Sequence, residues 1–229
     1  MENTIAVSTK QHSKTQDILS DQQINPFDKL KIAGAWRVKI KRGDQYHVQV
    51  TAAPEIKQFL YVKSKNGVLH LQIINHPEHA WSNIHCTAEI TTPKLNSISL
   101  SGAANVAFDG FQSESFVVEA TGASAVYGKN NIFNDLGLKG TGASKFELTD
   151  TDVVKSLNLE GTGASRFNLF KAKVKDANVK ISGASRVELN MTGGALTGEL
   201  SGASKIIYTG TISKYAVNTF GSSSVSSVN

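Results

Sequence analysis

Thr141-Gly142-Ala143-Ser144-Lys145-Phe146-Glu147-Leu148 decides the fold, because its pattern returns along the chain. Before it stand Ser101-Gly102-Ala103-Ala104 and Thr121-Gly122-Ala123-Ser124. After it come Thr162-Gly163-Ala164-Ser165, Ser182-Gly183-Ala184-Ser185 and Ser201-Gly202-Ala203-Ser204, and a worn copy, Gly221-Ser222-Ser223-Ser224, follows these. The six clear copies are 20, 20, 21, 20 and 19 residues apart. A fixed period of this length is the mark of a solenoid, in which one repeat cannot bury its apolar face alone and neighbours must stack. An outlying copy, Gly34-Ala35-Trp36-Arg37-Val38, resembles Gly183-Ala184-Ser185-Arg186-Val187 and reads as a start of the same architecture.

The flanks of the motif set the secondary structure. Ahead of it, Leu157 and Leu159 alternate with Asn158 and Glu160, and Leu136-Gly137-Leu138-Lys139 follows suit. Behind it, Lys145-Phe146-Glu147-Leu148, Arg166-Phe167-Asn168-Leu169 and Arg186-Val187-Glu188-Leu189 alternate again. Period two means strands with one buried face. Each repeat therefore reads as a strand, a Gly-Ala-Ser corner, a second strand and a looser return of about eight residues. Glycine suits the bent backbone, alanine a crowded corner, and the serine hydroxyl can bond to nearby backbone or to the next serine. The expected fold is all-β: a parallel β-helix of ~20-residue rungs, with matching strands ~4.8 Å apart.

Two columns of residues follow from that register. Glu119, Lys139, Glu160, Lys180 and Glu199 stand two residues before successive motifs, with the sign of charge alternating at each step. Stacked, unlike charges become neighbours, and a slip of one rung would set like charges together. The corner serines Ser124, Ser144, Ser165, Ser185 and Ser204 form the companion structural ladder. Just after the motif come Lys145, Arg166, Arg186 and Lys205, preceded in the same column by Asn105 and Ala125. They predict a basic stripe on the solvent face, offset by Glu147 and Glu188, and it is the candidate ligand-binding surface.

Outside the repeat, residues 1–24 read as a flexible polar lead-in. Residues 25–95 read as an irregular β-rich cap continuous with the solenoid, and 96–229 as the repetitive β-helix. Asn66-Gly67 between Leu60-Tyr61-Val62 and Val68-Leu69-His70-Leu71 signals a hairpin, because both residues accept positive φ.

The chain has 229 residues, is 40% hydrophobic and 19% charged, and carries a net charge of +5. That is a globular composition with a mildly basic surface, which permits anionic partners. Its one cysteine, Cys86, excludes an intramolecular disulfide. No stretch approaches the length of a transmembrane helix. Met1 to Gln23 lacks the basic and then apolar blocks of a signal peptide, so a cytoplasmic location, or a processed form, is one expectation. His76, His79 and His85 are weak metal-ligand candidates, since His85 and Cys86 would point to opposite faces of a strand. No cofactor is expected. Carboxylates do not stack in one column as a carbohydrate-active enzyme of this architecture would need, and the recurring serines have no histidine in their motif. The basic bias and the two tryptophans, Trp36 and Trp81, are too weak for nucleic acid.

The repeated Ser/Thr-Gly-Ala-Ser corners, with the β-rich segment Phe27 to Gly43 and Pro93-Lys94-Leu95-Asn96-Ser97-Ile98, resemble the bacterial head GIN domain family, DUF2807, described as a "putative auto-transporter adhesin". The resemblance runs over about residues 25–229. It implies a right-handed parallel β-helix, a cell-envelope or secreted location and a role in adhesion, for which the expected partner is a cell-surface glycan or protein. It supplies no catalytic residues. The expectation is a non-enzymatic surface module. The alternatives are a polysaccharide lyase or hydrolase on the same fold, and a self-assembling protein that pairs as a homo-oligomer through its C-terminal rung.

Overall fold

The computed structural model describes residues 16–19, 24–74 and 86–228. It is a parallel β-solenoid of about seven turns with rungs of ~20 residues, and 73% of the chain is strand. Two ladders of strands run along its length. The first contains Ser97–Gly102, Gln112–Gly122 and Ile132–Gly142, then the C-terminal halves of Lys145–Gly161 and Arg166–Ile181, then Ala195–Leu200 and Lys214–Thr219. The second contains Asn105–Asp109 and Ala125–Lys129, the N-terminal halves of the same two long strands, then Arg186–Thr192, Lys205–Thr211 and Ser224–Ser227. The return expected as a loose loop is itself strand: Lys145–Gly161 and Arg166–Ile181 run unbroken from one corner to the next.

Alternation packs the interior. Phe116 and Phe133 stack with centroids 4.4 Å apart, and Phe146 and Phe167 do so at 4.6 Å. Opposite the second pair stand Gly140 and Gly161, where an added Cβ would meet the Phe167 ring at 2.8 Å in each case. Two large residues on one sheet are thus accommodated by two absent side chains on the other, as dense interiors require.

The corners repeat as atoms as well as letters. Gly102, Gly122, Gly142, Gly163, Gly183 and Gly202 all have φ between 74° and 90°. The residue two places later, Ala104 after Gly102 and a serine after each of the others, is buried. Ser144 Oγ has the carbonyls of Thr141 and Ala120 as acceptors, each at 2.9 Å, and Ser165 Oγ donates to Thr162 at 3.0 Å. These hydroxyls close their own corner on its backbone or on that of the preceding rung, rather than bonding to the next serine.

Residues 27–42 bear out the outlying copy at Gly34-Ala35-Trp36-Arg37-Val38 as part of the same architecture, and what the pattern did not reveal is their place in the stack. Phe27–Gly34 pairs in parallel with Ser97–Gly102, placing Gly34 beside Gly102, and Trp36–Arg42 pairs with Asn105–Asp109. This is a full rung, with Trp36 in the serine position. Its indole Nε1 donates to the Ala33 carbonyl at 3.2 Å, three residues back, as the serines do. On the other side of this rung lie Gly67–Ile73 and Cys86–Thr92, also parallel. The rung first in sequence is therefore sandwiched between two later ones. Residues 93–96 step over it, and Asn96 holds Asp28 through N–H to carbonyl and Nδ2 to Oδ2 contacts, both 2.7 Å.

That end of the stack is covered by antiparallel strands. His47–Ala52 lies on Cys86–Thr92, and Gln16–Leu19 lies on His47–Ala52. Leu60–Lys65 lies on Gly67–Ile73 through a two-residue Asn66-Gly67 turn with φ of 52° and 75°. At the opposite end, Lys214–Thr219 and Ser224–Ser227 each pair on one side only among the described residues.

Candidate binding face

The outer face of the second ladder carries the basic column. Strand alternation turns Lys145, Arg166, Arg186 and Lys205 outward, and parallel register sets them directly beside one another, Lys145 to Arg166, Arg166 to Arg186 and Arg186 to Lys205. At ~4.8 Å per rung the four cations span about 14 Å. In the other direction the column continues through Ala125 and Asn105 to Arg37.

The four charges are not equally free. Lys145 Nζ lies 3.1 Å from a Glu147 carboxylate oxygen and 5.0 Å from the centre of the Tyr127 ring. Its hydrogen bond to Glu147 holds its pKa above the ordinary lysine value. Arg186 grips Glu188 with Nη2 at 2.7 Å and Nε at 2.8 Å. Arg166 stands beside Asn168 and Lys205 beside Ile207, and neither forms an ion pair among the described residues. A hollow of about 360 Å³ lies over this part, lined by Lys145, Arg166, Asn168, Arg186 and Glu188 together with Phe146 and Phe167.

Further along the same face is a larger hollow of about 520 Å³. Lys39, Tyr127 and Glu147 wall one side, and Lys41, Asp109, Lys129 and Thr149 the other, with Ala107 between Lys39 and Tyr127. None of Lys39, Lys41, Tyr127 or Lys129 stood out in the sequence.

The first ladder presents the alternating charges. Glu119, Lys139, Glu160, Lys180 and Glu199 are neighbours in consecutive rungs. The one ion pair formed among them is Lys139 Nζ to Glu160 Oε2, at 3.5 Å. Beside this column Asn178 Nδ2 donates to Asn158 Oδ1 at 3.1 Å. Ser124, Ser144, Ser165, Ser185 and Ser204 are all buried, so their ladder belongs to the interior and not to either face.

His76, His79 and His85 lie outside the described residues. Among the described residues no three His, Cys, Asp or Glu side chains come together as a metal site. Cys86 is buried beside Trp36, and burial pushes its thiol up to about 11, which keeps it protonated and unreactive at neutral pH. Among the described residues no helix is long and apolar enough to cross a membrane.

The family described as "Putative auto-transporter adhesin, head GIN domain" (DUF2807) matches residues 26–211. No curated protein matches the chain. Solved structures that share the fold include the following three. A "putative adhesin" from Bacteroides fragilis is 16% identical with a TM-score of 0.82, over 97% of this chain and 100% of that one. A "putative lipid binding protein" from Parabacteroides distasonis is 14% identical with a TM-score of 0.69, over 94% and 96%. A "putative adhesin" from Parabacteroides merdae is 15% identical with a TM-score of 0.63, again over 94% and 96%.

Proposed function

The chain belongs to the head GIN domain family of auto-transporter adhesin description, and on that footing we propose that it is a non-catalytic adhesive module of the bacterial cell envelope that binds acidic glycan along its basic sheet face. The observation that carries this reading is the register of Lys145, Arg166, Arg186 and Lys205, which repeats one cation per rung. A polymer with a regularly repeated anion is the ligand that can use such a column. Among the described residues two of the cations form no ion pair and two are held in place by carboxylates, so the face combines available charge with preordered charge. Attraction over such a surface raises encounter rates and weakens with salt.

An enzymatic reading has less support. The 520 Å³ hollow holds two carboxylates, Asp109 and Glu147, and both are engaged, by Asn130 Nδ2 at 2.9 Å and by Lys145. Self-association is the second reading, and one observation favours it. The open side of Lys214–Thr219 carries backbone groups that pair with no other strand among the described residues, with Tyr215 52% and Phe220 54% exposed nearby. A monomer at every concentration in sedimentation would remove it.

The test of the main reading is a glycan array at low and physiological salt, with the Lys145→Ala/Arg166→Ala/Arg186→Ala/Lys205→Ala variant beside the parent. Binding to acidic glycans that the variant loses supports the basic face. An array on which the folded parent binds no acidic glycan removes the reading.

A further inference from the structure

We infer that the 520 Å³ hollow around Tyr127 is a sugar-ring subsite for a uronic-acid residue, the point where an acidic polysaccharide on this face is gripped rather than merely attracted; this rests on the acidic-glycan reading above.

The argument starts from what surrounds the ring. Tyr127 stands in an outward column whose neighbours are Ala107 in one adjacent rung and Glu147 in the other. The Glu147 side supplies Lys145, whose ammonium sits over the ring. The Ala107 side supplies only a methyl group. Beyond Ala107 the next long side chain in the column is Lys39. One whole side-chain length is therefore missing between an aromatic ring and a lysine. The hollow that results falls within the ~300–1,000 Å³ range usual for small-ligand sites.

Its charge selects the ligand. Lys39, Lys41 and Lys129 are exposed and form no ion pair among the described residues. Glu147 is neutralised by Lys145. That leaves three ammonium groups against the single carboxylate of Asp109, which also accepts a hydrogen bond from Asn130. A half-buried tyrosine offers an apolar face and a polar hydroxyl together. A pyranose has the complementary form, an apolar C–H face with polar groups at its edge. A ring carboxylate adds the negative charge that the lysines call for. Lys145 belongs both to the basic column and to the wall of Tyr127, so a chain lying along Lys205, Arg186 and Arg166 arrives at this hollow in the next rung.

The test is calorimetric titration of the full chain with an oligogalacturonate hexamer and, in parallel, with a neutral cello-oligosaccharide of equal length. Variants are Tyr127→Ala, which removes the platform, and Ala107→Phe, which fills the hollow without touching a charge. Unchanged melting temperatures establish that the variants fold. The expected result is uronate binding by the parent, about tenfold or more weaker in each variant, with the neutral oligomer far weaker throughout. Parent-like uronate affinity in the folded Tyr127→Ala variant, with affinity lost in Arg166→Ala/Lys205→Ala, would overturn the subsite and leave the basic-face reading standing. Equal affinity for the neutral oligomer would overturn the uronate assignment. No uronate binding by the parent would overturn the subsite and count against the reading it rests on.

Discussion

The carbonyl oxygen of Gly122 stands 2.8 Å from the point where a Cβ on Gly142 would begin, and the Gly142 backbone has a φ of 82°. The same approach recurs from rung to rung, for example Gly163 against the Gly142 carbonyl at 2.7 Å. The corner thus excludes a side chain twice, by backbone conformation and by the stacking distance. Gly142→Ala is expected to destabilise the protein by about 2–4 kcal/mol in urea denaturation. Gly137→Ala is the control. It lacks a positive φ and faces the side chain of Val117, itself exposed and able to turn, so its effect stays within about 1 kcal/mol.

The charge column on the first ladder predicts a salt-dependent register effect. Lys180 sits between Glu160 and Glu199. Lys180→Glu would put three carboxylates in consecutive rungs, with an expected loss of about 0.5–2 kcal/mol at low salt. Repeating the denaturation in concentrated sodium chloride should shrink that loss by about half or more. A loss independent of salt would show that the column has no electrostatic role.

Cys86 gives a pH prediction. An unfolded thiol ionises near 9.0, and burial in the folded protein raises this to about 11. The neutral thiol therefore contributes stability that is whole below about pH 9 and is lost as the pH rises towards 11. At pH 7.5 iodoacetamide should label the native protein about a hundredfold more slowly than the urea-unfolded chain. Rapid native labelling would contradict the buried position beside Trp36.

The sequence carried the parts of this account that are local or periodic. The Gly-Ala-Ser corners, the alternation around them, the two charged columns and the Asn66-Gly67 hairpin all appear in short windows, because each is set by neighbours or by a fixed step of about twenty residues. The place of residues 27–42 is different in kind. Lys39 stands beside Ala107, and Ala107 beside Tyr127, only because the first rung lies directly against residues 97–109 while Gly67–Ile73 and Cys86–Thr92 lie on its far side. Such an inversion of chain order leaves no periodic trace. The hollow was hidden for the same reason, and because it is made by a side chain that is absent. The unequal pairing of the basic column was partly visible, since Glu147 and Glu188 could be seen two residues beyond Lys145 and Arg186.

That inequality separates two arginines of the same column. Arg166 has no ion pair among the described residues, whereas Arg186 holds Glu188 through two short contacts. Replacing Arg166 by alanine should weaken acidic-glycan binding about three- to tenfold. Replacing Arg186 should do less, or should act through the Glu188 carboxylate it releases. If so, Arg186→Ala/Glu188→Gln would bind more tightly than Arg186→Ala alone. Affinities by calorimetry in low salt decide between these.

The most direct measurement of the central claim is the salt dependence of acidic-oligosaccharide affinity for the parent and for Lys145→Ala/Arg166→Ala/Arg186→Ala/Lys205→Ala. The account predicts parent affinity that falls steeply as salt rises, and a folded variant that binds weakly with a shallow dependence. Equal affinity and equal salt dependence in the two proteins would contradict it.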